Sequence, residues 1–442
     1  MHPPGSTTAD AAVAVTKLRP PRGRLGRVVR SRLDGVLDAA TARATVTLVS
    51  APAGYGKTTA VAAWAERRRP PVVWLALDEH DAAPHAFMRL LVAGVAEHAP
   101  AAARAAGLAL AEAPESAVTA LVNQLDAADE PQTWVLDDLH MVTDDATIEL
   151  LWRLVERAPP ALRLVLATRV DPPLPLARWR LQGALAEVRA EQLRFDLTEA
   201  RELLTAMGVT LDEAALRVLV ARTEGWGAGL QLAALGLRGR RDEGVRDFVE
   251  RFTGRDRYVL AYLTEEVLQR LDPTNHDFLL KLSVLDGFDA ATAAAVTERP
   301  DAFERLAELE RANLFLSRTD EPDGSYRLHP FFRDLLLGRL SDLRPRLPAD
   351  LRARAATHLA SRVRPRAPGA EATGPDGSDE PLSDREREAL RWLATGASNK
   401  AIARHMGLSP NTVKTHLKRL FEKLAVGSRT EAVARARERG WA

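Results

Sequence analysis

The stretch "TVTLVSAPAGYGKTTAVAAWAERR", residues 45–68, constrains the fold more than any other part of the chain. An apolar, β-branched run enters, a glycine-containing loop follows, and a run of helix formers leaves. The loop nearly spells G-x-x-x-x-G-K-[ST], with Ala51 where the first glycine would stand. A strand–loop–helix context is what a phosphate-binding loop needs. The backbone N–H groups of Ala53, Gly54, Tyr55, Gly56, Lys57 and Thr58 can wrap a phosphate at the helix N-terminus, where the helix dipole also favours negative charge. Lys57 would neutralise the β- and γ-oxygens of a nucleotide, and Thr58 would offer its hydroxyl to Mg2+. Thr59 completes the expected cofactor-binding set. Ala51 is tolerable provided its φ is negative. Taken by itself, a G-x-G-K-T string also arises by chance in loops.

The surrounding sequence decides between these. "TVTLVS" (45–50), "PVVWLAL" (71–77), "TWVLDD" (133–138) and "LRLVLATR" (162–169) read as buried strands, with amphipathic stretches between them. Such alternation predicts a parallel sheet covered by helices on both faces. Asp137 and Asp138 close the third run. A carboxylate there can hold Mg2+ beside bound phosphates, which makes Asp137 the metal partner of Thr58 and Asp138 the group that polarises an attacking water. A paired Asp at a strand end also serves as a helix cap or a solvated turn, and only together with the loop does it point to a nucleotide. Arg169 emerges at the end of the fourth run, at the edge where α/β sheets bind ligands. It is expected either to sense a γ-phosphate or to form a surface salt bridge.

Charge divides the chain. Its 442 residues carry a net charge of +1. Residues 382–442 hold 13 Lys+Arg and 6 Asp+Glu, or +7, which leaves −6 for the rest. A basic module on a mildly acidic body implies an anionic partner. Cysteine is absent, which excludes disulfides, thiolate catalysis and cysteine-held metals. The first residues show no secretory pattern, and no apolar run approaches the roughly 20 residues of a membrane span. A cytoplasmic protein with no membrane partner is expected.

The basic module parses into four helices. Ser383 and Glu386 form a capping box, and Leu390, Leu393, Ile402, Ala403 and Met406 face inward. Ser409 caps a third helix, from about Pro410 to Leu424, whose buried stripe is Val413, Leu417, Leu420, Phe421 and Leu424. Lys414, Thr415, Lys418 and Arg419 fall on its other face, which is the helix-turn-helix plan for a DNA major groove. Asn399, Lys400, Ser409 and Thr412 complete the expected DNA-binding set. A solvated basic helix face is the plainer alternative.

Residues 1–19 read as a disordered tail, 20–196 as the nucleotide-binding domain and 197–271 as a helical subdomain in which Thr198 is the expected first N-cap. Residues 272–363 read as helices with one hairpin, "LFLSRTDEPDGSYRLHP", and hence as a winged-helix-like unit. Residues 364–381 form a Pro/Gly-rich linker before the module at 382–442.

Residues 382–440 resemble the LuxR-type DNA-binding domain, through "RERE", "GASNKAIA", "SPNTVKTH" and "KLAVGSRTEA". The front of the chain resembles the large ATP-dependent LuxR regulators, the MalT-like group of STAND ATPases, through "SAPAGYGKTT", "VLDDLH", "ATRVDPPLPLARWRLQG", "TEGWGAGLQLAAL" and "YRLHPFFRDLL". The resemblance implies an α/β P-loop NTPase parallel sheet with helical and winged-helix subdomains. A flexible linker would join these to an all-α four-helix LuxR-type helix-turn-helix domain. It implies ATP or ADP with Mg2+ as cofactors, residues 25–33 along the adenine, and His329 on the bound diphosphate. Without the family, His329 reads as a core or hydrogen-bonded histidine. Double-stranded promoter DNA, self-association on it and RNA polymerase are the implied partners. Two departures stand out. Gly227 sits where many relatives have proline, and the helical-repeat sensor that usually follows the ATPase is replaced by the 364–381 linker. An ATP-switched regulator with slow hydrolysis and a constitutive DNA-binding protein with a silent nucleotide domain are therefore both open at this point.

Overall fold

The computed structural model describes residues 13–21, 28–240, 242–319 and 324–363, together with Arg387, Leu390, Trp392, Leu393, Met406, Leu417 and Leu420. The chain divides into two units, Met1–Val363 and Arg364–Ala442.

The first unit is built on five parallel strands: β1 (Val46–Ser50), β2 (Val73–Ala76), β3 (Gln132–Asp137), β4 (Leu162–Thr168) and β5 (Leu185–Val188). Their order is β2-β3-β4-β1-β5. All five residues of β1 are buried, because it has a neighbour on each side and helices above and below. Side chains alternate between the faces. Val46, Leu48, Trp134, Leu136, Leu164 and Leu166 pack against one set of helices, and Val49, Val135, Val165, Ala167 and Val188 against the other. The four apolar runs are thus β1 to β4, of which β2 is an edge strand. β5 went unread in the sequence, since it has four residues and includes the half-buried Glu187.

Register fixes the site. Ser50 pairs with Thr168, so β1 and β4 end side by side, and the phosphate loop and Arg169 leave from adjacent points. The helix Lys57–Ala65 starts directly at the loop.

Beyond the sheet, Asp196 rather than Thr198 caps the helix Leu197–Ala206. Its carboxylate accepts from the Glu199 N–H at 2.8 Å, and the Glu199 carboxylate accepts from the Asp196 N–H at 3.2 Å. Thr198 lies within the helix, where its backbone cannot take the extended conformation of a cap. Arg30 ties the start of the helix Ser31–Arg43 to this region. Its buried guanidinium donates to the Leu193 and Arg194 carbonyls and to Glu199, and lies 4.0 Å from the centre of the Phe195 ring. Of the segment expected along the adenine, residues 28–33 are described, and Arg30 is committed to this anchor; residues 25–27 lie outside the described residues.

The expected hairpin is present as the antiparallel pair β6 (Leu316–Arg318) and β7 (Tyr326–Leu328), and Tyr326 also bridges Phe288. The helix Pro330–Leu343 follows it. In the second unit Leu390, Leu393, Met406, Leu417 and Leu420 are buried, in keeping with the inward stripes of the sequence. Asn399, Lys400, Ser409, Thr412, Lys414, Thr415, Lys418 and Arg419 lie outside the described residues. Among the described residues no helix is long and apolar enough to cross a membrane.

Candidate functional site

Gly54 and Gly56 both have φ +77°, the left-handed region that turns the loop into the helix. Ala51 is fully buried and is not among the described residues with positive φ, so its methyl group meets no backbone objection. A Cβ on Gly54 would come within 2.5 Å of the Ala228 Cβ and 2.8 Å of the Trp226 ring nitrogen. Glycine is therefore required there by close approach as well as by conformation.

Lys57 is buried, and its ammonium donates to the Ala51 and Pro52 carbonyls at 2.8 and 3.0 Å. Burial pushes it down to about 8, nearby Arg169 adds to this, and Asp138 and Asp137 oppose it. A buried cation disfavoured in this way gains from an anionic ligand. Thr58 donates its hydroxyl proton to Asp137 Oδ1 at 2.9 Å. Burial pushes the Asp137 carboxyl up to about 7, Asp138 adds to it, and the Thr58 hydrogen bond opposes.

These residues fit Mg2+. The ion takes oxygen ligands, keeps several waters, and needs only one or two protein groups plus substrate phosphates. A hydroxyl and a carboxylate already converge here, and among the described residues no group of three or more acidic or histidine side chains forms a cage of another kind. Asp138 stands next to this pair with φ +57° and a half-exposed side chain that makes no capping hydrogen bond. It occupies the N-cap position of the short turn Leu139–Met141 without a side-chain bond there, so the solvated-turn alternative stands beside the catalytic one. His140, given no role from sequence, is mostly buried, and its Nδ1 lies 3.8 Å from Asp138 Oδ1.

Arg169 forms the salt-bridge alternative. Its Nη1 lies 2.6 Å from Glu266 Oε2, at the end of the helix Arg257–Glu266. Further bonds join the sheet edge to the distant segments. Trp226 donates its ring N–H to the Ala53 carbonyl at 3.0 Å, and the Ala228 N–H donates to the Gly54 carbonyl at 2.9 Å. Asn313 donates its side-chain N–H to Ser50 Oγ at 2.9 Å and to the Arg169 carbonyl at 3.1 Å. Trp226, Glu266 and Asn313 carry no local sequence signal for such roles, because each contact spans about a hundred residues or more.

His329 is buried and N-caps the helix Pro330–Leu343. Its Nδ1 accepts from the Phe331 N–H at 3.3 Å and its Nε2–H points to the Thr223 carbonyl at 3.2 Å. Its ring sits 5.7 Å from that of Trp226, and it lines a cleft of about 380 Å³ with Pro52 and Tyr55. The ring belongs to the wall between loop and winged-helix segment, with both nitrogens engaged inside the protein. Burial pushes the imidazole down to about 4. The unfolded chain binds this proton below pH 6.5, while the folded chain resists it until about pH 4. Its contribution to stability is therefore complete above pH 6.5 and is lost as pH falls toward 4. Urea denaturation across this window should show a shallower acid decline in His329→Gln than in the wild type. The decline should not vanish, because burial also pushes His140 down to about 4.

Comparison with known proteins assigns the segments. Residues 264–348 match the MalT winged helix domain, and residues 380–436 match the luxR family of bacterial regulatory proteins. The chain is 34% identical over 364 residues to the serine/threonine-protein kinase PknK of Mycobacterium tuberculosis, covering 80% of this chain and 32% of that protein. It is 34% identical over 353 residues to the HTH-type transcriptional regulator MalT of Serratia proteamaculans, covering 78% of this chain and 39% of that one. It thus spans about a third of the length of the curated relatives it matches. Among solved structures, the Walker-type ATPase of Pyrococcus abyssi is similar at 13% identity and a TM-score of 0.49, covering 73% of this chain and 99% of that one. With a parallel P-loop sheet, a MalT winged-helix segment and a LuxR-type segment in that order, the chain belongs to the MalT-like group of LuxR-family regulatory proteins.

Proposed function

We propose that the chain is an ATP/ADP-regulated, DNA-binding transcriptional activator. The observation that carries this reading is that the carbonyls of Ala53 and Gly54, inside the phosphate loop, are bonded to Trp226 and Ala228 of the helical segment. A ligand that reshapes the loop therefore acts directly on the packing of the helical and winged-helix segments. Ala53, Gly54, Tyr55, Gly56, Lys57, Thr58 and Thr59 surround the phosphates. Thr58 and Asp137 hold Mg2+, which when bound neutralises charge on the β- and γ-oxygens. Asp138 orients water for a slow hydrolysis that resets the switch.

ADP holds the closed form, with His329 on its diphosphate side, and ATP favours the open form. Moving that balance from 1:99 to 99:1 takes about 5.5 kcal/mol of differential binding. A γ-phosphate that meets Lys57 and Arg169 is of the right order to supply it. The open chain self-associates on promoter DNA in the cytoplasm and presents its basic modules to paired half-sites, next to RNA polymerase. Lys414, Thr415 and Lys418 read bases, while Asn399, Lys400, Ser409, Thr412 and Arg419 hold the backbone.

Genome-wide footprinting of the tagged protein tests this, beside the double variant Lys414→Ala/Lys418→Ala. The variant should lose its specific sites. With about 5–6 phosphate contacts per subunit, the wild-type affinity should fall with a log–log salt slope near −5, and each lost phosphate contact should reduce that slope by about 1. Unchanged occupancy in the variant would remove the DNA-binding assignment.

A further inference from the structure

We propose that Glu266 is a built-in competitor for the terminal phosphate of ATP, occupying Arg169 until that phosphate displaces it. The proposal rests on the nucleotide reading of the pocket given above. A cavity of about 220 Å³ lies beside the loop, lined by Ala53, His140, Arg169, Glu266, Arg270 and Asn313 among others. Two guanidiniums converge on one carboxylate oxygen there. Glu266 Oε2 is 2.6 Å from Arg169 Nη1 and 3.6 Å from Arg270 Nη2. The buried Nδ1 of His140, on the same lining, has no hydrogen-bond partner among the described residues. The cavity is otherwise largely apolar, with Val170, Val267, Leu271 and Phe315 on its lining, and its cluster of cationic groups already holds an anion of the chain's own.

The position of Glu266 supports exchange. It is the last residue of the helix Arg257–Glu266, at the negative end of the helix dipole, where a carboxylate is disfavoured unless paired. Its hydrogen bond with Arg169 holds its carboxyl below the usual range. A terminal phosphate brings more negative charge and more acceptor oxygens than a carboxylate. The Arg169 backbone is pinned by Asn313, so exchange asks only the half-exposed guanidinium to turn. Losing Arg169 would free the end of a helix whose Tyr262 packs 5.8 Å from Trp226, which in turn is bonded to the loop.

The test is equilibrium binding of ATPγS and ADP, each with Mg2+, to the full chain by calorimetry, with sedimentation velocity as a readout of opening. Glu266→Gln keeps shape and removes charge, and Glu266→Ala is the second variant. Both should tighten ATPγS by roughly 2- to 5-fold, the scale of a partly exposed ion pair, with little change for ADP. Both should also sediment as the open form at lower ATPγS. In an Arg169→Ala background, replacing Glu266 should change nothing. If Glu266→Gln and Glu266→Ala leave ATPγS affinity unaltered, or shift ATPγS and ADP equally, while Arg169→Ala still weakens ATPγS, the competitor role is overturned and the pocket reading stands. If Arg169→Ala leaves ATPγS binding intact, Arg169 does not meet the terminal phosphate and the proposal is overturned while the pocket reading stands; if the wild type binds neither nucleotide, the pocket reading fails and the proposal goes with it.

Discussion

Lys57→Ala is expected to weaken ATP and ADP binding by about 30-fold or more and to abolish nucleotide-dependent occupancy of promoter DNA. The magnitude follows from taking a buried cation away from phosphate oxygens. Removing one partner of a buried charge pair costs about 2–5 kcal/mol, and the lower end of that range is already about 30-fold. The fold should tolerate the change. Lys57 gives up two hydrogen bonds to the Ala51 and Pro52 carbonyls, but it also removes an ammonium whose charge burial disfavours. Calorimetry should therefore show lost binding at a nearly unchanged thermal midpoint. Footprinting should show occupancy that no longer responds to ATP over ADP. Retained affinity with unaltered promoter output would leave the silent nucleotide domain as the better account.

What the sequence disclosed, and what it withheld, has a common physical cause. β1, β3 and β4 were legible because a strand buried on both faces must be apolar throughout, and the loop was legible because phosphate wrapping needs glycine at fixed offsets. β5 lay beneath notice because a four-residue edge strand with a charged residue has no such signature. Thr198 and Asp196 are two residues apart and are both acceptable caps by type; only the placement of the helix start separates them. Arg169 could be placed at the functional edge of the sheet, whereas its partner, 97 residues later in the chain, depends on how the helical segment docks. The same holds for Asn313 and for the two bonds from Trp226 and Ala228 to the loop. Sequence periodicity reports which face of an element is buried and says little about which distant polar group it meets there.

Trp226→Ala is expected to destabilise the first unit by about 3–5 kcal/mol, the usual cost of deleting a large buried aromatic side chain. Trp226 is fully buried, and its ring lies between 5.5 and 6.3 Å from those of Phe315, His329, Tyr262 and Phe331. Those partners come from the helical and winged-helix segments, and the ring N–H reaches back to the loop at Ala53. Alanine would open a cavity at the meeting point of three elements and leave the Ala53 carbonyl without this donor. Trp226→Phe separates the two losses. It retains much of the packing, so the stability cost should fall to about 1–2 kcal/mol. The loop would still lose its side-chain tie to the helical segment. In Trp226→Phe the difference in sedimentation between the ATPγS and ADP complexes should therefore shrink while both nucleotides still bind. A variant that stays folded, binds both nucleotides and keeps the full wild-type difference would place the coupling elsewhere, with the Ala228–Gly54 backbone bond as the remaining direct link between the loop and this helix. Trp226 ties loop to helix through an N–H and helix to winged segment through its ring, and the two substitutions read those connections one at a time.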